Sequence, residues 1–242
     1  MSTEVEKKIT YNDIEQFCIQ GVPSKAFYIP NFITPEEEKY MQHQVYYGTP
    51  KPQWTTLLNR RLQQWGGNPH PKGMVREKIP QWLDTIIKKI VALGVFGKAP
   101  NHVLINEYEP GQGIMPHEDG PLFHPVISTV NLGSHTLLDF YPHQDTQVDN
   151  KNQNQTMTTP AKQPVFSLLL EPRSLLLLTE DMYKLYLHGI DERLQDTLTE
   201  NVKNLEECGK KSGDILERGR RISLTIRNVP KVLPVQIRLG KR

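Results

Sequence analysis

A chain of 242 residues, 37% of them hydrophobic, is long enough to build one sizeable core, with room for an extension. No apolar run approaches the roughly 18 residues of a transmembrane helix, and the opening Met-Ser-Thr-Glu-Val-Glu-Lys-Lys lacks the apolar stretch of a signal peptide, so a membrane role is not expected. The net charge of +2 excludes little, but residues 51–78 gather Lys51, Arg60, Arg61, Lys72, Arg76 and Lys78 against the single acid Glu77, which suits either a polyanion such as nucleic acid or a solvated loop.

Residues 1–23 are expected to form a flexible leading segment, with one domain over 24–230 and a basic tail over 231–242. Ala26 to Ile33 reads as a short strand running into a turn. Thr34-Pro35-Glu36-Glu37 then signals a helix start, with Thr34 as cap, Pro35 at the first position and Glu37 three after the cap; the helix is expected to run to about Val45. Strand-like patches over Trp54 to Gly67 and a Pro- and Gly-rich loop over 69–73 follow. From Pro80 a second helix is expected, because Trp82, Leu83, Ile86, Ile87, Ile90 and Leu93 fall at helical spacing. The texture then changes to short β-type runs at His102–Tyr108, Val126–Leu132, Thr136–Tyr141, Phe166–Leu170, Leu175–Leu178 and Ile222–Ile226. Such a series predicts a mainly β fold, a jelly roll flanked by helices from an N-terminal α/β extension. Polar inserts at about 142–164 and 191–218 hold few apolar residues and are expected to be mobile loops. Cys18 and Cys208 follow no metal or disulfide spacing, which leads to the expectation of a reducing compartment, cytoplasm or nucleus. A monomer is the default.

The candidate chemistry centres on His117-Glu118-Asp119. One imidazole and one carboxylate from this arm, with a distant second imidazole, would form a two-His-one-carboxylate triad, which leaves three positions on an iron ion open. His188, in Leu187-His188-Gly189, lies far enough along the chain to return beside the first arm. His43, His70, His102, His124, His135 and His143 are weaker candidates. In the run Arg221 to Arg227, alternation puts Arg221, Ser223, Thr225 and Arg227 on one face and Ile222, Leu224 and Ile226 on the other. Turned inward, the arginines would require an anion such as a dicarboxylate; turned outward, they mark a half-exposed edge strand. Asn106 and Tyr108, two apart, either bond a carboxylate or face solvent.

In order and spacing, Asn106-x-Tyr108, His117-x-Asp119, His188 and Arg221-x5-Arg227 resemble the AlkB family of Fe(II)- and 2-oxoglutarate-dependent dioxygenases, from about residue 24 to 230. The resemblance implies a double-stranded β-helix in which His117, Asp119 and His188 hold Fe(II). It implies that Arg221 and Tyr108 bind the distal carboxylate of 2-oxoglutarate, while Asn106 and Arg227 orient its other end. The basic segment falls where family members carry a nucleotide-recognition lid, making Arg60 and Arg61 candidates for phosphate contact. With O2 as second cosubstrate, the implied activity is demethylation or hydroxylation of a DNA or RNA base. Two departures leave the substrate open: Pro121 stands where demethylases of the family often carry a second acid, and Ser223 where they often carry an amide. The alternatives are a dioxygenase acting on a protein or small molecule, and a non-catalytic nucleic-acid-binding member.

Overall fold

The structure, a computed structural model, describes residues 11–142 and 163–234. In chain order they form α1 (Tyr11–Ile14), a 3-10 turn (Glu15–Phe17), β1 (Ala26–Ile29), α2 (Pro35–Tyr47), β2 (Thr55–Leu57), β3 (Arg60–Trp65), β4 (Met74–Val75) and α3 (Gln81–Val91). There follow β5 (His102–Tyr108), β6 (Ile114–His117), β7 (Val126–Leu132), β8 (Thr136–Pro142), β9 (Phe166–Leu170), β10 (Leu175–Thr179), α4 (Glu180–Lys184) and β11 (Tyr186–Ile190). The last elements are β12 (Gln195–Thr197), β13 (Ile215–Glu217), β14 (Arg221–Arg227) and β15 (Val232–Leu233).

Two antiparallel sheets make the jelly roll. The larger has the order β1-β10-β7-β14-β5-β3-β2 and the smaller β6-β11-β8-β9. Strand alternation divides the interior into layers. Val103, Ile105, Val130, Leu132, Leu175, Leu177, Ile222, Leu224 and Ile226 turn to the outer face of the large sheet, where α2 and α3 cover them. The opposite residues of β10, Leu176 and Leu178, meet Leu138, Phe140, Leu168 and Leu170 of the small sheet.

The helices form where their local signals place them. At α2 the Thr34 hydroxyl accepts from the Glu37 amide at 3.1 Å and the Glu37 carboxylate accepts from the Thr34 amide at 2.8 Å, a reciprocal cap. In α3, Trp82, Leu83, Ile86, Ile87 and Ile90 are buried on one face, and Lys89 reaches Glu37 of α2 at 3.0 Å from the other side.

Three expectations are corrected. Residues 191–218 do not form a mobile loop. Leu198 and Val202 pack on Leu137 and Leu169, the outer face of the small sheet. The Asn204 side chain pairs with both backbone groups of Leu169, 2.8 Å each, closing the free edge of β9 as a neighbouring strand would. Here a few well-spaced apolar residues and mutually paired charges substitute for a long apolar run. Nor is the leading segment free throughout: Ile14 and Ile19 are buried and Cys18 bridges Phe27, so 11–23 is docked. The beginning of the basic tail is also fixed, with β15 pairing parallel to β4. Residues 1–10, most of the insert 142–164 (143–162) and 235–242 lie outside the described residues.

Candidate active site

The cavity lies between the two sheets. It has a volume of about 240 Å³ and is lined by residues of both, including every sequence candidate except Arg61. On the small sheet, β6 and β11 run antiparallel with His117 directly opposite His188, and their rings lie 4.6 Å apart. This approach depends on glycine. A Cβ on Gly189 would stand 2.9 Å from the Pro116 nitrogen and 3.0 Å from the Ile114 carbonyl, and one on Gly113 only 2.1 Å from the Ile190 carbonyl. Just past the end of β6, Asp119 turns one carboxylate oxygen to His188 Nε2 at 3.6 Å and the other to the Arg227 guanidinium.

The donor chemistry of these three groups fits a divalent iron ion. His117 Nδ1 lies 2.9 Å from the Met115 carbonyl, which can only accept, so the neutral ring carries its proton on Nδ1 and presents Nε2 as the donor atom. Burial pushes the His188 imidazole down to about 4, against the opposing pull of Asp119, so it is neutral at physiological pH, as a ligand must be. Among the described residues no three His, Cys, Asp or Glu side chains stand as a closed metal cage. The three are neighbours rather than a preformed cluster, because Asp119 divides its oxygens between Arg227 and His188. The 3.6 Å between His188 Nε2 and Asp119 Oδ2 is within the span of two donors sharing one ion at about 2.1 Å from each.

Across the cavity stands the large sheet. Arg221 is buried, donates from Nη2 to Asn131 Oδ1 at 2.6 Å, and has no partner for Nε or Nη1. Burial pulls its guanidinium down to about 10, which still leaves it charged at neutral pH. Two orphaned donors on a buried cation, with the Tyr108 ring centroid 5.6 Å away, make a fork shaped for a carboxylate. Arg221, Ser223, Thr225 and Arg227 all line the cavity, so of the two readings left open by alternation the inward one is correct. Asn106 and Tyr108 on the adjacent β5 line it too.

Arg60 and Arg61 separate. Arg60 lines the cavity and donates from Nε to Asn106 Oδ1 at 3.2 Å. Arg61 points to the opposite face, where it makes a two-point pair with Glu107 at 2.5 and 3.1 Å and lies 4.2 Å over the Trp54 ring. Its charge is already matched by Glu107, unlike that of Arg60. Two residues escaped the sequence reading. Asn131, which pairs in register with Ser223, accepts from Arg221 and donates to Ser174, and so holds the guanidinium from the next strand. Phe123 lies 4.2 Å beneath the Arg227 guanidinium. An amide inside the apolar run Val126–Leu132 was a usable signal for Asn131; Phe123 in its loop offered none.

A jelly roll with a His-x-Asp arm and a returning histidine at one end of its cavity, and a buried unpaired arginine at the other, has the form of a 2-oxoacid-dependent oxygenase. The chain belongs to the 2OG-Fe(II) oxygenase superfamily, whose profile matches residues 10–227, and within it to the AlkB family. It is 50% identical to the probable RNA/DNA demethylase ALKBH6 of Danio rerio over 95% of this chain and 96% of that one. It is also 25% identical to the tRNA (carboxymethyluridine(34)-5-O)-methyltransferase alkbh8 of Xenopus tropicalis, over 89% of this chain and 33% of that larger protein. Among solved structures, OsALKBH1 shares the fold with a TM-score of 0.56 at 14% identity, covering 86% of this chain and 100% of that one.

Proposed function

We propose that the chain oxidises a methylated base of RNA or DNA, with Fe(II) held by His117, Asp119 and His188 and 2-oxoglutarate held by Arg221 and Tyr108. The observation that carries the reading is Arg221: a buried guanidinium with two unpartnered N–H groups, in the cavity whose other end holds the His-Asp-His set. Leaving those donors unmatched costs free energy that a dicarboxylate would recover. When bound, Fe(II), O2 and the 2-oxoacid supply the oxidising chemistry, with loss of CO2 and formation of succinate.

The chain's own residues bind and orient. Met115 fixes the His117 tautomer, and burial keeps His188 neutral. Arg227 acts through Asp119, whose carboxylate it grips, and its unpartnered Nε remains for the near end of the cosubstrate, beside Asn106. A hydroxylated N-methyl group leaves as formaldehyde and frees the amine. Because the cavity lies between the sheets, a base in a duplex must be flipped out to enter it. The nucleic-acid part of the reading is supported by the Danio rerio relative's name and by Lys51, Lys72, Arg76 and Lys78, which are all exposed.

The test is incubation of Fe(II)-loaded protein with 2-oxoglutarate, O2 and methylated RNA and DNA oligonucleotides, with mass spectrometry of the oligonucleotides and assay of formaldehyde. Methyl loss that disappears in His188→Ala supports the reading. Cosubstrate turnover with no change in any oligonucleotide would sink the nucleic-acid part. It would favour the second reading, oxidation of a protein or small molecule, which Pro121 in place of a second acid motivates; a peptide pool gaining one oxygen is its sign.

A further inference from the structure

We infer that Arg60 belongs to the cosubstrate site, as a third guanidinium reaching 2-oxoglutarate from the β2–β3 hairpin; this rests on the reading above.

Arg60 and Arg61 are consecutive on β3 and grip consecutive residues of β5 from opposite faces of the sheet. Outside, Arg61 is saturated by Glu107, to which Tyr46 also donates. Inside, Arg60 bonds Asn106 through Nε alone, to a neutral amide oxygen, and lines the same cavity as Arg221 and Tyr108. Arg60 is half-buried and its one hydrogen bond is to a neutral acceptor, so its remaining N–H groups are free to take a dianion bound in this cavity. Tyr108 registers the proximity: burial pushes its phenol up, while the charges of Arg221 and then Arg60 pull the other way.

The hairpin gives this contact a consequence. β3 joins the large sheet through β5, with Arg61 opposite Glu107 and Leu62 opposite Asn106, and β2 is the free edge strand beyond it. Its turn exposes Leu58, 94% accessible, next to the exposed Leu57 that ends β2. Arg60 pairs with Leu57 next to this turn, so a cosubstrate carboxylate on Arg60 would fasten the tip of the hairpin beside the exposed Leu58, and loading of the 2-oxoacid and the position of the hairpin are linked.

The experiment is anaerobic titration of the Fe(II)-loaded full chain with 2-oxoglutarate, following the weak visible charge-transfer band, in wild type, Arg60→Ala, Arg60→Lys, Arg61→Gln and Arg221→Ala. Loss of a charge-assisted contact predicts affinity about tenfold or more weaker in Arg60→Ala, with partial recovery in Arg60→Lys. Arg61→Gln, which loosens the same strand from its outer face, should bind within about twofold of wild type. The ligand-free melting temperature of Arg60→Ala should match wild type. Wild-type affinity in Arg60→Ala overturns the inference, and weaker oligonucleotide binding in that variant would instead make Arg60 a phosphate contact. Equal weakening in Arg60→Ala and Arg61→Gln also overturns it, by making the effect a general loosening of the hairpin. No 2-oxoglutarate uptake by wild type would fell the parent reading with it, whereas uptake lost in Arg221→Ala and kept in Arg60→Ala fells this inference alone.

Discussion

Arg221 is costly for the fold, and in the proposed reading it is the residue that binds the cosubstrate. Its guanidinium sits 4% exposed with two donors unmatched, a cost that the proposed cosubstrate contact would offset. Arg221→Met should therefore separate two properties. Cosubstrate affinity should fall about a hundredfold or more, since a two-point charged contact is lost. The ligand-free protein should melt no lower than wild type, and higher if the relieved burial outweighs the lost bond to Asn131. Calorimetric titration and a thermal melt of the same preparation would check both. A variant that unfolds would instead show Arg221 to be a structural ion. The end proposed to hold Fe(II) follows the opposite design, for there the imidazoles are matched in advance: Met115 fixes the tautomer of one and burial the charge of the other.

At the scale of elements, β6 and β11 are held close by residues with no side chain. Gly189→Ala would push a methyl against the Pro116 nitrogen and Ile114 carbonyl and prise His188 from His117. We expect Fe(II) affinity to drop at least about tenfold while the far-ultraviolet spectrum stays native, since the clash falls in one strand pair. Native Fe(II) affinity would show that the strands yield. The β12–β13 insert carries a different device. Burial raises the Asp196 carboxyl, but the approach of His135 Nε2 at 3.4 Å, the hydrogen bonds and charge of Arg218 and the charge of Arg193 outweigh it and hold it at about 2. A folded value below the unfolded one means that this group's stabilisation is complete above about pH 4 and is lost as pH falls toward 2. Asp196→Asn should flatten the acid limb of the stability curve in that window. An unchanged limb would show that the Arg218 pair contributes nothing to the pH dependence. The insert also explains why composition misled: its charges read as solvated, yet Arg218 and Asp196 are buried against each other at 2.7 Å.

For the whole molecule, the central fact is that the large sheet is two-faced, with helices on one side and, on the other, a cavity whose apolar walls hold a few charged and polar groups. Burying imidazoles around that cavity makes the fold sensitive to acid. Burial pushes His102 down to about 3 and His188 to about 4, from an ordinary value of 6.5. The unfolded chain therefore takes up these protons first. Metal-free stability should be full above about pH 6.5 and should decline as pH falls toward 4. Urea midpoints measured from pH 7.5 to 4.5 in chelator test this, and a flat profile would refute it. The alternation at 221–227, the reciprocal cap at Thr34 and the helical spacing at 82–93 were legible in the chain because each is a local pattern, set by backbone periods of two and 3.6 residues. His117, Asp119 and His188 were legible as residue types in an order. Their meeting was not, because the pairing of β6 with β11 and the approach of Gly189 to Pro116 are contacts between segments some seventy residues apart, which no local period encodes. For the same reason only the tertiary structure could separate Arg60 from Arg61, find Asn131 beside Arg221 and fold the polar insert onto β9. The sequence by itself determined the main helices and core strands, the chemistry available and the family. The tertiary structure decided which charges are satisfied by one another and which are left for a ligand, because that depends on burial and on partners distant in the chain.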